Sequence, residues 1–126
     1  MFTNEQMSGS GQLSMTDLIQ SNENRIAELK STSHTFWHDP GHGWLEVRYQ
    51  DLIILDLLGT ITGYSFRSGD KVYLEEDMDA SAYIEALFGK YGERSDQQQT
   101  ELDHWKRLIR SEYRENIFVR NLQHFK

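Results

Sequence analysis

The chain contains a single proline, and it stands in the run His38-Asp39-Pro40-Gly41-His42-Gly43-Trp44-Leu45. Pro40 lacks an amide hydrogen and biases Asp39 away from helical backbone angles. Gly41 and Gly43 open conformations that other residues resist. The constraint matters because His34, His38 and His42 recur every four residues. On a helix that spacing would stack three imidazoles on one face, as in zinc-binding helices. Pro40 and the glycines remove the helix. In an extended chain the same histidines share a face but lie about 13 Å apart per pair. The run is therefore expected to be a turn that feeds Trp44-Leu45-Glu46-Val47 into a strand. Only that turn could bring His38 and His42 together, with Asp39 orienting an imidazole or serving as a third ligand. His38, Asp39 and His42 are thus the candidate ligands for a divalent metal ion. The competing reading, and the favoured one, is a plain turn whose histidines make ordinary hydrogen bonds.

Around this turn the pattern reads as one α+β domain over residues 13–126, preceded by a polar Gly/Ser-containing lead-in over 1–12. A chain of 126 residues suits one modest core and is short for two. Thr16 is expected to cap a helix over 16–30, with Asp17 in its first turn and Leu18, Ile19, Ile26 and Leu29 on a narrow stripe. Asn22 and Asn24 interrupt that stripe, so the helix is peripheral or leans on a neighbour. Residues 51–59 read as a short helix closed by Gly59. Thr60–Phe66, the turn Arg67-Ser68-Gly69-Asp70 and Lys71–Glu75 read as a hairpin over 60–76. Asp79 is expected to cap a helix carrying Tyr83, Ile84, Leu87, Phe88 and Tyr91, with Gly92 as its stop. Leu102, Trp105, Ile109 and Tyr113 follow helical spacing, and 117–122 reads as a last strand. The expected architecture is a small antiparallel sheet of about four strands, with helices packed on it.

Three groups of residues could carry chemistry. The histidine turn is the first. Glu75, Glu76, Asp77 and Asp79 are the second: four carboxylates in five residues could hold a hard cation. The spacing is not that of an EF-hand loop, and acids at the next helix's N-terminus are also favoured by its dipole. The third group is Tyr64, Phe66, Arg67 and Tyr73 on the hairpin, with Arg110, Arg114 and Arg120 in the tail. Aromatics interleaved with arginines can stack on bases, yet Tyr and Arg also favour protein interfaces. There is no Walker loop, no Gly-x-Ser-x-Gly elbow and no Rossmann glycine fingerprint.

Charge decides between these partners. The net charge is −7, and residues 70–103 carry 3 Lys/Arg against 10 Asp/Glu, a local balance of −7. Residues 104–126 carry 6 against 2, a balance of +4. A globally acidic chain gains little from nonspecific attraction to phosphates, so nucleic acid is not favoured. Cysteine is absent, which excludes disulfides, thiolate metal sites and cysteine nucleophiles and fits a reducing cytoplasm. No apolar run reaches the roughly 18 residues of a membrane span, and no secretory signal pattern opens the chain.

The motifs His42-Gly43-Trp44-Leu45-x-Val47, Ile61-x-x-Tyr64-Ser65-Phe66 and Tyr73-Leu74-Glu75-Glu76-Asp77-x-Asp79 resemble an uncharacterised family of short proteins encoded by bacteriophages and other bacterial mobile elements. The resemblance spans about residues 34–90. The chain departs from that pattern at Arg48, where proline would follow Val47, and at Met78, where cysteine is frequent. The resemblance implies a context and no activity: small proteins of this kind often act by occupying a host protein's surface. The chain is accordingly read as a non-enzymatic accessory protein of the host cytoplasm. It binds a host protein through Trp44, Tyr64, Phe66, Arg67, Tyr73, Glu75, Glu76, Asp77 and Asp79, requires no cofactor and is compatible with a homodimer. In its sharpest form that reading is inhibition of a defence or nucleic-acid enzyme. The first alternative is a metal-dependent hydrolase or binder of phosphorylated ligands, using His38, Asp39 and His42 with Glu75 or Asp77. The second is single-stranded nucleic-acid binding on the hairpin face.

Overall fold

The turn around Pro40 sets the sheet. In a computed structural model describing residues 14–126, the Asp39 amide donates to the His42 carbonyl at 3.0 Å. The Asp39 carboxylate accepts from the amides of Gly41 at 3.0 Å and His42 at 2.8 Å. An aspartate that accepts from amides two and three residues on closes the turn locally. It joins β1 (Thr35–His38) to β2 (Gly43–Arg48) as an antiparallel pair, with Trp37 opposite Trp44 and His38 opposite Gly43. A Cβ at Gly43 would fall 2.2 Å from the tip of the Phe36 ring. Glycine is needed there for close approach.

The expected second hairpin is present but its first arm is short. Strand β3 (Phe66–Ser68) turns through Gly69 (φ +62°) and Asp70 into β4 (Lys71–Glu75). Residues 60–65, expected to be strand, form a loop instead. Asp79 holds that loop by accepting from the Thr62 amide at 3.0 Å, the Thr62 hydroxyl at 2.7 Å and the Ser65 hydroxyl. Asp79 is thus not the cap of α3 (Asp79–Phe88) but a buried clamp in its first turn. β-Branched content favoured a strand over 60–65, and this buried carboxylate outcompetes it.

The remaining elements are α1 (Met15–Leu29), α2 (Tyr49–Ile54), α4 (Asp96–Arg107), β5 (Arg110–Tyr113), a 3-10 turn (Phe118–Asn121) and β6 (Gln123–His124). Ser14, not Thr16, caps α1 in a reciprocal box with Asp17. Leu18 and Ile19 are half exposed, and only the end of the helix, at Ile26 and Leu29, packs on the body. α4 begins at a Ser95/Gln98 capping box and buries Leu102 and Trp105. The helical spacing fails beyond it. Arg110 to Tyr113 leave the helix and pair in parallel with β1, the Arg110 amide donating to the His34 carbonyl at 2.9 Å. The expected strand over 117–122 is the 3-10 turn, and the strand proper is the short β6 against β3.

The structure is α+β: among the described residues there are four helices and one mixed sheet of six strands ordered β5-β1-β2-β4-β3-β6. The expectation of about four antiparallel strands is close; it omitted the parallel edge strand β5, placed the other edge too early, at 117–122, and did not count β1 separately. Alternation along the strands divides the core in two. Leu45, Val47, Val72 and Leu74 face the helices, where Leu52, Tyr83, Phe88, Leu102 and Trp105 cover them. Trp44, Phe66 and Tyr73 face the other way and are covered by Ile117 and Val119 of the C-terminal segment.

Candidate functional site

The C-terminal segment covers the second sheet face incompletely. A cleft of about 470 Å³ opens between it and the ends of β2, β3 and β4, a size within the ordinary range of binding sites. Its floor is Trp44 and Phe66. Its walls are a cationic one of His42 and Arg120 beside Trp44, an acidic one of Glu75 and Asp77 with Met78 past the end of β4, and Tyr64 and His124 beside Phe66. Trp44 is only 2% exposed and Phe66 9%, whereas Tyr64 is 67% exposed and Met78 53%. The predicted tryptophan anchor is therefore a buried floor, and Tyr64 and Met78 are the apolar groups open to solvent at the mouth.

The cationic wall is internally neutralised. Arg120 Nε donates to Asp39 Oδ2 at 2.5 Å, and its Nη2 lies 2.6 Å from His42 Nδ1. The guanidinium sits 5.3 Å from the Trp44 ring centre, and the His42 ring stacks on the same indole at 5.9 Å. Arginine has only donors, so His42 Nδ1 accepts and the neutral ring carries its proton on Nε2. Asp39, its side chain nearly buried, is held well below the usual carboxylate range, first by the Arg120 hydrogen bond and further by the Gly41 and His42 amides. On the far side, His124 Nδ1 donates to the Gly63 carbonyl at 2.7 Å and its ring lies 4.5 Å from Phe66. A carbonyl only accepts, so neutral His124 keeps its lone pair on Nε2.

The acidic wall is not neutralised by any cation among the described residues. Glu75 turns both oxygens on the amides of Asp77 and Met78, each at 3.0 Å. The exposed Asp77 carboxylate makes no hydrogen bond among the described residues. The cleft thus offers the Nε2–H donor of His42, negative charge on Glu75 and Asp77 without a cationic partner among the described residues, and an aromatic floor.

Sequence reasoning named Trp44, Tyr64, Phe66, Glu75 and Asp77, and the fold brings these five into the one cleft. It does not bring Arg67, Tyr73, Glu76 or Asp79 there. Arg67 points to the helical face and stacks on Tyr49 at 3.9 Å. Tyr73 is buried beneath Phe118, and burial with the Glu46 carboxylate pushes its phenol up to about 12. Glu76 borders a separate cleft of about 380 Å³ against Phe36, Ile84 and Trp105. Asp79 is spent on the 60–65 loop. The histidine set is divided as well. His38 stacks on Phe36 and meets the Ser111 hydroxyl at 2.9 Å, Asp39 is engaged by Arg120, and only His42 reaches the cleft. His34 is buried against Tyr83 and Trp105. Among the described residues no three His, Asp or Glu side chains converge in a way that could hold a metal ion.

Arg120 was legible only as one of several tail arginines, with no sign of its partners. His124 carried no signal, because it reaches the cleft solely through the pairing of β6 with β3. No protein-family model matches the chain, and comparison with curated proteins and with solved structures returned no significant match.

Proposed function

We propose that this chain is a non-enzymatic accessory protein of the bacteriophage or mobile-element kind that binds a host protein through the Trp44–Tyr64–Asp77 cleft. The observation that carries this reading is the mouth of the cleft: exposed Tyr64 and Met78 flank two acidic residues that no cation among the described residues answers. Exposed aromatic and methionine side chains beside a concave, buried floor are the composition of an interface centre. Trp44 and Phe66 pack in that floor with Tyr73, Ile117 and Val119, and Arg120 lies over the Trp44 ring. The metal-dependent alternative finds less support, since Asp39 and His42 are both engaged by Arg120 while His38 turns away to Ser111. Stacking of bases on the hairpin face finds less support too, since Tyr73 is covered and Arg67 lies across the sheet.

A photo-crosslinking residue placed at Tyr64 tests the reading in a bacterial host. Tyr91, 87% exposed and outside the cleft, is the control position. A discrete host protein crosslinked from position 64 and not from 91 is the expected result. No adduct at 64, or the same adducts from both positions, would overturn it.

A further inference from the structure

We infer that the guest this cleft is built to take is an arginine side chain of a basic partner segment. The inference rests on the protein-binding reading above and assigns that binding a chemistry.

Charge gives the sign of the guest. Arg120 is already satisfied by Asp39, with Oδ2 at 2.5 Å, and its remaining edge is turned on His42. That pair cancels. Glu75 and Asp77 remain, and neither has a cationic partner within 4.0 Å among the described residues. Glu75 spends one lone pair of each oxygen on a backbone amide, and the Asp77 carboxylate spends none. A cation entering from solvent therefore finds at least one carboxylate whose acceptors are free.

Shape and surface select the kind of cation. The carboxylates share the cleft with the Tyr64 ring and the Met78 thioether, both exposed, so a guest reaching them meets an apolar path. A long side chain with an apolar stem and a planar, weakly hydrated head matches that path better than a compact ammonium. Guanidinium stacks on aromatic faces and forms paired hydrogen bonds to carboxylates. The chain already uses this chemistry internally, with Arg67 over Tyr49 at 3.9 Å and Arg120 over Trp44 at 5.3 Å. The acidic 70–103 stretch, which supplies Glu75 and Asp77, extends the attraction beyond the cleft and favours a partner segment that is basic as a whole.

The test titrates the isotope-labelled full chain with three blocked tripeptides, Gly-Arg-Gly, Gly-citrulline-Gly and Gly-Glu-Gly, and follows amide and indole resonances. Citrulline keeps the shape of arginine and removes its charge. The arginine peptide is expected to shift the Tyr64 and Asp77–Met78 amides and the Trp44 indole, with millimolar affinity. Citrulline should bind at least tenfold more weakly, and the glutamate peptide should leave these signals unmoved. D77N and Y64A alter exposed side chains and leave the fold's packing intact; each should weaken the arginine titration at least fivefold. Equal binding of arginine and citrulline would overturn the inference. So would shifts spread over the acidic surface instead of the cleft, or no shift at all. Position-64 crosslinking with a silent arginine titration would leave the interface in place and remove only its assigned guest.

Discussion

His34 shows how much a single residue can depend on its surroundings. Its imidazole is buried, with the Tyr83 hydroxyl 3.3 Å from Nε2 and the Trp105 ring packed edge-on. Burial is the main cause that lowers its pKa; Arg48 adds to the shift, while Asp51 and Glu46 oppose it. An unfolded histidine takes a proton near pH 6.5, and the folded one resists doing so. Below about pH 6.5 the unfolded chain binds more protons, so stability should fall as the pH is lowered from 7 towards 5. Urea midpoints measured across that range should decline for the natural chain and flatten in H34Q; an unchanged slope in H34Q would place the pH dependence elsewhere. Asp39 behaves in the related carboxylate sense. Its pKa is lowered, so its contribution is complete above the ordinary carboxylate value and is lost only at strongly acid pH.

At the scale of elements, the β1–β2 hairpin is the part most fully written in the sequence. Asp39-Pro40-Gly41 dictates a turn because its own carboxylate supplies the acceptors the turn's amides need. Gly43 is fixed by a neighbour rather than by its own conformation, since Phe36 occupies the place of its side chain. Gly43→Ala should therefore destabilise the protein by about 1–3 kcal/mol, the usual cost of overpacking. Phe36→Leu in the same chain should recover part of that loss, a coupling expected between touching residues. Urea unfolding of the two single variants and the double variant measures it, and strict additivity would show that the contact is not the cause. The 60–65 and 109–113 segments mark where local pattern misleads. Thr60–Phe66 has strand-like composition, but three hydrogen bonds to a buried aspartate hold its loop form. Ile109 and Tyr113 keep helical spacing, yet the open edge of β1 offers β5 backbone hydrogen bonds that continuing α4 could not.

Across the whole molecule, one sheet carries two cores of unequal size. The helical core is broad, while the second rests on Trp44, Phe66 and Tyr73 under Ile117 and Val119. The C-terminal segment is thus structural: it covers the second face and supplies Arg120 and His124 to the cleft. Ile117→Ala should cost about 2–4 kcal/mol, as large-to-small changes at buried positions do, and should shift the Trp44 indole resonance. A cost below about 1 kcal/mol, with Trp44 unperturbed, would mean that the segment is an appendage.

The sequence by itself determined the α+β class, the Pro40 turn, the short hairpin at Gly69 and five of the residues that meet in the cleft. These follow from backbone restrictions and from alternation, which act over a few residues at a time. Tertiary structure decided what the histidines do, because imidazoles spaced along an extended chain have no common target until a partner arrives. That partner is Arg120, which lies 81 residues beyond Asp39 in the chain and draws Asp39 and His42 to itself. It also decided that the tail closes over the aromatic face and that β5 joins in parallel. Such choices depend on which sheet edge and which apolar surface are left open once the local elements have formed.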